Sequence, residues 1–188
     1  MFRRPHADEI IKQSYLKLLR TNKYYDISIT DIIENSSPQV GRSTFYRHYE
    51  DKRQLEEKIV EDLVTDFKNK IVPEFKKDVQ SAWKMVCREL LVMLRDGDLM
   101  AYTPLPENFS YLVSILESKL KFYENAEQLS LKAKYIPRAN AAIISSCLST
   151  WVKTGFKESV EEMTVFMSSL LIKNSDSSAF LELIEFKN

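Results

Sequence analysis

A short stretch of the chain, residues 42–52, carries a high density of side chains that bind nucleic acids. Seven consecutive positions hold two arginines, two hydroxyl residues, a phenylalanine, a tyrosine and a histidine, and a lysine follows closely. Guanidinium, hydroxyl, phenol and imidazole groups reach phosphates and base edges from a helix in the major groove. This composition favours contact with double-stranded DNA. The polar side chains are Arg42, Ser43, Thr44, Tyr46, Arg47, His48 and Lys52.

The individual chemistries divide into groups that read sequence and groups that do not. Arg42 carries the planar fork that can read guanine O6 and N7, worth about 1–3 kcal/mol of discrimination. Lys52 is a point charge that suits a phosphate and is blind to sequence. Specific and nonspecific contacts are therefore both available from one stretch.

Catalysis and metal binding have little support in the sequence. The two histidines, His6 and His48, have no cysteine or carboxylate neighbour at metal-ligand spacing. Three glycines in the whole chain could hardly build a phosphate-binding loop. The adjacent pairs Glu56-Glu57 and Glu161-Glu162 point to different sides of a helix and are interpreted as solvated faces. We therefore expect no enzymatic activity, no metal and no cofactor.

Two short helices joined by a turn must position the polar stretch. The first follows Ser28, a suitable N-cap, and ends near Asn35. Pro38 cannot continue that helix, so residues 36–39 are predicted to form the turn. A further helix spans about residues 41–49. The inward-facing side chains in and next to this helix are predicted to be Val40, Phe45 and Tyr49.

The remaining pattern is helical, because apolar residues recur at three- and four-residue spacing and strand-type alternation is nearly absent. An all-α protein is therefore predicted. We expect Asp51 to cap a long helix that ends at Pro73, Pro137 to separate two segments, and Gly155 to end a helix. The other predicted helices span about residues 7–21, 75–95, 107–124, 138–154, 158–173 and 177–186, with a loop at 99–106.

Composition describes an ordinary globular protein without a general attraction to DNA. The formal net charge is zero, so any nucleic-acid contact must come from a local patch. No apolar run approaches the roughly 18 residues that span a bilayer. The N-terminus lacks a secretory leader, which predicts a cytoplasmic protein with no membrane contact. Cys87 and Cys147 are then expected to be buried free thiols.

The sequence GRSTFYRHYEDKRQL at residues 41–55, preceded by ITDII at 29–33, resembles the DNA-binding domain of the TetR family of bacterial transcriptional regulators. The resemblance covers about residues 7–60. The segment WVKTGFKESVEEM at 151–163 is similar to the region where the last two main helices of that family meet. At the turn the chain departs from the family, because the turn is longer and has Pro38 and Gln39 where alanine and glycine are usual.

The resemblance implies an all-α homodimer with two domains. Residues 1–52 would form a three-helix domain with a helix-turn-helix, and residues 53–188 a larger helical domain for effector binding and dimerisation. The longer turn either bulges outward or changes the angle of the helix that reads DNA. Implied base-edge contacts come from Arg42, Ser43 and Thr44. Implied phosphate contacts come from Thr30, Tyr46, Arg47, His48 and Lys52.

The C-terminal domain is rich in large apolar side chains, which either line a pocket for a ligand or form plain core. No buried charge cluster suggests a charged inducer, so a small apolar effector is expected. The candidate ligand-binding residues are Trp83, Tyr102, Phe109, Phe122 and Trp151.

The helices at 138–154 and 158–173 are apolar over wide faces, which predicts half of a two-fold symmetric dimer interface. The alternative is that these faces pack within one chain. The candidate interface residues are Ile143, Cys147, Trp151, Phe166 and Leu170.

These observations predict a homodimeric, sequence-specific transcriptional regulator, a repressor that an apolar small molecule releases from its operator. Two other classes fit the sequence. One is a helical DNA-binding protein that recruits another protein and answers to no ligand. The other is a ligand-binding or scaffold protein that has lost DNA binding through the altered turn.

Overall fold

The computed structural model describes residues 6–75, 77–119 and 131–171. These residues are helical and contain no strand, which confirms the all-α prediction. No helix among them is both long enough and apolar enough to cross a membrane. The predicted helix at 177–186 and the candidate residue Phe122 lie outside the described residues. The helices are α1 Ala7–Leu19, α2 Ile29–Glu34, α3 Arg42–His48, α4 Lys52–Phe75, α5 Val79–Arg95, a 3-10 helix Asp98–Tyr102, α6 Pro106–Lys119, α7 Leu131–Lys153 and α8 Val160–Leu170.

The chain forms two compact units. The first comprises the described residues of Met1–Leu63 together with Asp98–Ile115, and the second those of Val64–Gly97 together with Leu116–Asn188. The first unit thus includes a segment from far along the chain, which a division at residue 52 leaves out. We call these the N-terminal unit and the C-terminal unit.

Local side-chain caps fix the helix starts of the N-terminal unit. The Ser28 hydroxyl accepts a hydrogen bond from the backbone N–H of Asp31 at 3.2 Å, and the Asp31 carboxylate accepts one from the Ser28 N–H at 2.8 Å. The Ser28 hydroxyl also donates to the Asp31 carboxylate at 2.6 Å, and this bond, with the one from the Ser28 N–H, holds the pKa of Asp31 below its usual value. The Asp51 carboxylate accepts from the Gln54 N–H at 2.8 Å at the start of α4. Both predicted caps are confirmed.

In the C-terminal unit, α5 packs along α8. The Asp78 carboxylate caps α5 by accepting from the Ser81 N–H at 2.7 Å, and Ser159 and Glu162 form a reciprocal cap on α8. Both cysteines are free thiols, as predicted; Cys87 is buried, whereas Cys147 is half-buried. Burial raises the pKa of the Cys87 thiol to about 12.

The end of α7 is a Schellman turn built around Gly155. This glycine has a positive φ of 73°, which a residue without Cβ adopts at little cost. Its N–H donates to the Val152 carbonyl at 3.0 Å, and the Phe156 N–H donates to the Trp151 carbonyl at 2.9 Å. The Phe156 ring contacts the Trp151 ring edge-on, with 4.9 Å between centroids. The prediction that Gly155 ends this helix is confirmed.

The predicted helix ends at two prolines are wrong. α4 continues through Pro73 to Phe75, and α7 begins at Leu131, so it passes position 137. A proline inside a helix costs about 3 kcal/mol. In α4, the neighbouring side chains of Ile71 and Phe75 are buried, and their packing offsets that cost. The predicted helix at 75–95 begins at Val79 instead, where the Asp78 cap starts α5.

Candidate nucleic-acid interface

α3 separates one apolar anchor from a polar outer face. Phe45 is fully buried, and its ring contacts those of Tyr46 and Tyr49 at centroid distances of 5.6 and 5.8 Å. Val40 and Tyr49 are also buried. This division of faces confirms the prediction from the apolar pattern, while what the outer face binds stays a prediction. The exposed residues are Arg42, Ser43, Tyr46, Arg47 and His48, with Thr44 half-buried.

The turn between α2 and α3 is closed by one serine side chain. The Ser36 hydroxyl donates to the Ile33 carbonyl at 2.6 Å and accepts from the Val40 N–H at 2.9 Å. Ser36 and Val40 are buried, whereas residues 37–39 are exposed, and the Ser37–Pro38 peptide is cis. Exposed central residues between two anchored ends are what an outward bulge produces.

Thr30 and Arg42 come together across this turn. The Arg42 Nη2 atom donates to the Thr30 Oγ1 atom at 2.7 Å, and both side chains are exposed. The bond links the second residue of α2 to the first residue of α3. Two predicted DNA-contacting residues from different helices therefore form one group on the surface.

Lys52 occupies a different position from the other candidates. Its ammonium donates to the carbonyls of Tyr24 and Ile27 at 2.6 and 2.9 Å and lies 3.9 Å from the Glu56 carboxylate. These partners leave the side chain 23% exposed. In this structure the Lys52 ammonium holds the loop before α2, and the phosphate contact that the resemblance implies stays a prediction.

A charged network fastens the end of α3 to α1 and α4. The Tyr49 hydroxyl donates to the Asp8 carboxylate, and the Lys12 ammonium contacts Asp8 at 2.8 Å and Asp62 at 2.6 Å. Burial alone would raise the pKa of Asp8, but hydrogen bonds from Lys12 and Tyr49 and the nearby positive charge outweigh it, so the pKa is lowered. The pKa of Asp62 is lowered by the same balance, with Lys12 and Lys58 as donors.

We expect this network to make the protein sensitive to acid. A carboxylate with a folded pKa below its unfolded value stabilises the fold above the unfolded pKa, and the contribution is lost as the pH falls through the folded pKa. Asp8→Asn removes one such group. The free energy of unfolding of the wild type, measured in urea, should fall from about pH 5 to about pH 3, and that of the variant should fall less over the same range. Asp26→Asn, a change at an exposed loop residue, is the matched control. Equal pH dependence in all three proteins would contradict the assignment.

Asn108 on α6 is a buried residue whose role the sequence did not reveal. Its side chain is fully buried; the amide nitrogen donates to the carbonyls of Leu19 and Asn22 at 2.9 and 2.8 Å, and the amide oxygen accepts from the Tyr24 N–H at 2.8 Å. It therefore holds the end of α1 and the loop before α2. Its backbone partners are more than eighty positions away in sequence, so no local signal could have identified it.

Glu56 corrects a prediction, because it does not lie on a solvated face. The side chain is 2% exposed and accepts hydrogen bonds from the Tyr15 and Tyr111 hydroxyls at 2.6 and 2.5 Å. The Tyr111 ring also stacks on Tyr24, 3.8 Å between centroids. The carboxylate thus joins α1, α4 and α6 within the N-terminal unit. Hydrogen-bond donors on two sides are what a buried charge requires.

The predicted ligand-binding residues divide between the units. Tyr102 and Phe109 belong to the N-terminal unit, where Tyr102 is fully buried and Phe109 half-buried. Among the described residues, the Tyr102 hydroxyl has no hydrogen-bond partner. Trp83 and Trp151 belong to the C-terminal unit and are both buried; Trp83 contacts Phe75 edge-on. Their role in ligand binding stays a prediction.

The predicted interface residues also differ in exposure. Phe166 and Leu170 of α8 are 53% and 44% exposed, and Ile143 and Cys147 of α7 are half-buried. Trp151 is 1% exposed within its own chain, and its indole N–H donates to the Glu158 carbonyl at 3.0 Å. A side chain so enclosed adds little area to a surface between copies, and the part of Trp151 in the interface stays a prediction.

Among residues 6–75, 77–119 and 131–171, no group of three or more histidine, cysteine or acidic side chains could hold a metal ion. The chain matches no protein-family model, no curated protein and no solved structure.

Proposed function

We propose that the protein is a homodimeric, sequence-specific DNA-binding regulator of transcription. In this proposal α2, the turn and α3 form a helix-turn-helix, and α3 enters the major groove of each half of a pseudo-palindromic operator. The observation that carries it is the outer face of α3, whose exposed donors surround a buried Phe45. The resemblance of residues 41–55 to the TetR family points to the same function.

The charge of α3 supports the choice of DNA as partner. The chain has no net charge, yet this helix carries Arg42, Arg47 and His48 and no acidic residue. Tyr46 is 50% exposed between them. A local patch of this kind attracts phosphates without a general affinity of the whole protein for polyanions.

Dimerisation would follow from the exposed side of α8. Val165 is 60% exposed, and Phe166 and Leu170, one turn apart, are also exposed. A second copy related by two-fold symmetry would cover this apolar strip. It would also set the distance between the two α3 helices, which must match successive turns of the duplex.

The regulatory part of the proposal is repression relieved by a small apolar effector. An effector can release the operator only if it binds better to the dimer geometry that does not fit DNA. α4 is a continuous helix from Lys52, directly after the α3 segment, to Phe75. A change in its direction would therefore carry α3 with it.

Two substitutions on α3 test how the proposed interface reads DNA. Arg42→Ala should flatten the preference at one base pair per half-site by about 5-fold to 150-fold, because a guanine-reading fork is lost. Arg47→Ala should weaken all sequences alike and reduce the slope of log affinity against log salt by about one. Fluorescence-anisotropy titrations against genomic fragments, including the protein's own promoter, measure both effects.

Arg88→Ala is the matched control, since it removes an exposed arginine from the C-terminal unit. Binding that neither α3 variant alters would place the DNA contact elsewhere. Failure of the wild type on every fragment would favour the scaffold alternative over a regulator.

A further inference from the structure

The bond between α2 and α3 gives Thr30 a role beyond the phosphate contact that the resemblance implies. We infer that Thr30 is a positioning residue that holds the Arg42 guanidinium in the orientation in which it reads a base pair. The two side chains would then determine specificity as one unit. This inference rests on the proposed function.

The helices that carry the two side chains are fixed by the fold. Thr30 lies in the first turn of α2, which is held by the Ser28–Asp31 cap and by buried Ile32. Arg42 begins α3, which is held by buried Phe45. The 2.7 Å contact from Nη2 to Oγ1 therefore joins the tip of a long flexible side chain to a rigid point.

Preorganisation is what such a bond supplies. A free surface arginine loses much of its rotamer freedom when it forms a bidentate contact, and this loss weakens binding. The Thr30 hydroxyl imposes part of that order before DNA arrives. The loss of side-chain entropy is then smaller on binding to the correct base pair, because only that pair accepts hydrogen bonds from the arginine in the held orientation.

The chemistry of the pair leaves Arg42 free to bind DNA. Threonine is neutral, and no carboxylate among the described residues forms an ion pair with Arg42, so the charge is not cancelled. The bond uses one guanidinium N–H, and others remain for guanine O6 and N7. The Thr30 hydroxyl accepts from Arg42 and can still donate its own proton to a phosphate oxygen.

The test compares base preference, not affinity alone. The site preferred by the wild type is selected from randomised duplexes, and each variant is titrated against that site and its single-base changes. Thr30→Val, which keeps the shape but removes the hydroxyl, should lower preference at the Arg42 position by about threefold to tenfold. Thr30→Ser should retain the wild-type preference. The double variant with Thr30→Val and Arg42→Ala should show at least as much base preference at that position as Arg42→Ala alone.

A second measurement concerns the free protein. In nitrogen-15 NMR spectra without DNA, the Arg42 guanidinium of the wild type should show restricted rotation that Thr30→Val removes and Thr30→Ser keeps. Arg20, an exposed arginine whose side chain forms no ion pair or hydrogen bond among the described residues, serves as the internal reference. If the Arg42 guanidinium of the wild type rotates as freely as that of Arg20, the inference is overturned without any binding experiment.

The binding outcomes separate the inference from the proposed function. If Thr30→Val weakens all sequences equally, Thr30 is only a phosphate contact, and the inference fails while the regulator stands. If the wild type itself has no sequence preference, both fail. Loss of preference at the position that Arg42→Ala affects, with rescue by serine, supports the inference.

Discussion

Replacing Asn108 by alanine is expected to lower the free energy of unfolding by about 2–4 kcal/mol. The substitution deprives three backbone groups of their partner: the carbonyls of Leu19 and Asn22 and the N–H of Tyr24. Each buried group left without a hydrogen bond costs about 1–3 kcal/mol, and partial hydration of the loop reduces the sum. A loss of this size is a large part of the total stability of an ordinary domain.

Urea unfolding followed by circular dichroism measures the change, with Ser110→Ala as the control on an exposed position of the same helix. Asn108→Asp keeps the shape and the acceptor but sets a carboxylate oxygen against the Leu19 and Asn22 carbonyls, so it should destabilise at least as much as alanine. A loss below about 1 kcal/mol for either variant would show that the loop finds other partners.

The parts of the fold that depend on neighbouring residues were predictable. Helices α1 to α3 and the caps at Ser28 and Asp51 follow from apolar spacing and side-chain chemistry within one or two turns. The outward face of α3 is likewise a local consequence of the position of Phe45. Sequence therefore predicted which side chains of α3 are exposed.

The features that sequence did not predict depend on distant contacts. Asn108 and Glu56 are polar residues on helices, where exposure is the usual expectation. They are buried because they hydrogen-bond to partners far along the chain. Lys52 has the chemistry of a phosphate donor, yet its ammonium donates hydrogen bonds to two carbonyls of the preceding loop. Pro73 does not end α4, because the buried side chains of Ile71 and Phe75 on either side of it outweigh its local cost.

The second large effect is expected at Glu56, where alanine should lower the free energy of unfolding by about 2–4 kcal/mol. A hydrogen bond to a charged acceptor contributes about 1.5–3 kcal/mol, and this carboxylate accepts two, from Tyr15 and Tyr111. The cost of burying the charge works in the opposite direction, so the net effect is smaller than the sum. Removing Glu56 also leaves the fully buried Tyr15 hydroxyl without its acceptor.

Three variants separate these contributions. Glu56→Gln retains an acceptor without the charge and should lower the free energy of unfolding less than alanine does. Glu56→Leu fills the volume but leaves the hydroxyls of Tyr15 and Tyr111 without their acceptor. Glu34→Gln makes the same chemical change at an exposed position and should leave the free energy of unfolding unchanged. If leucine were as stable as the wild type, desolvation of the carboxylate would cancel its hydrogen bonds.

Alkaline pH provides an independent readout of the Tyr15 contact. Burial raises the pKa of Tyr15, and the negative charge of Glu56 raises it further, so the phenol keeps its proton in the folded protein at a pH where an unfolded tyrosine has lost it. A group whose folded pKa lies above its unfolded value stabilises the fold below the unfolded pKa, about 10 for tyrosine, and this contribution is lost as the pH rises from there towards the folded pKa. The free energy of unfolding of the wild type should therefore fall between about pH 9 and about pH 11, and that of Tyr15→Phe should fall less. If the two proteins lose stability equally over this range, Tyr15 is not the group responsible.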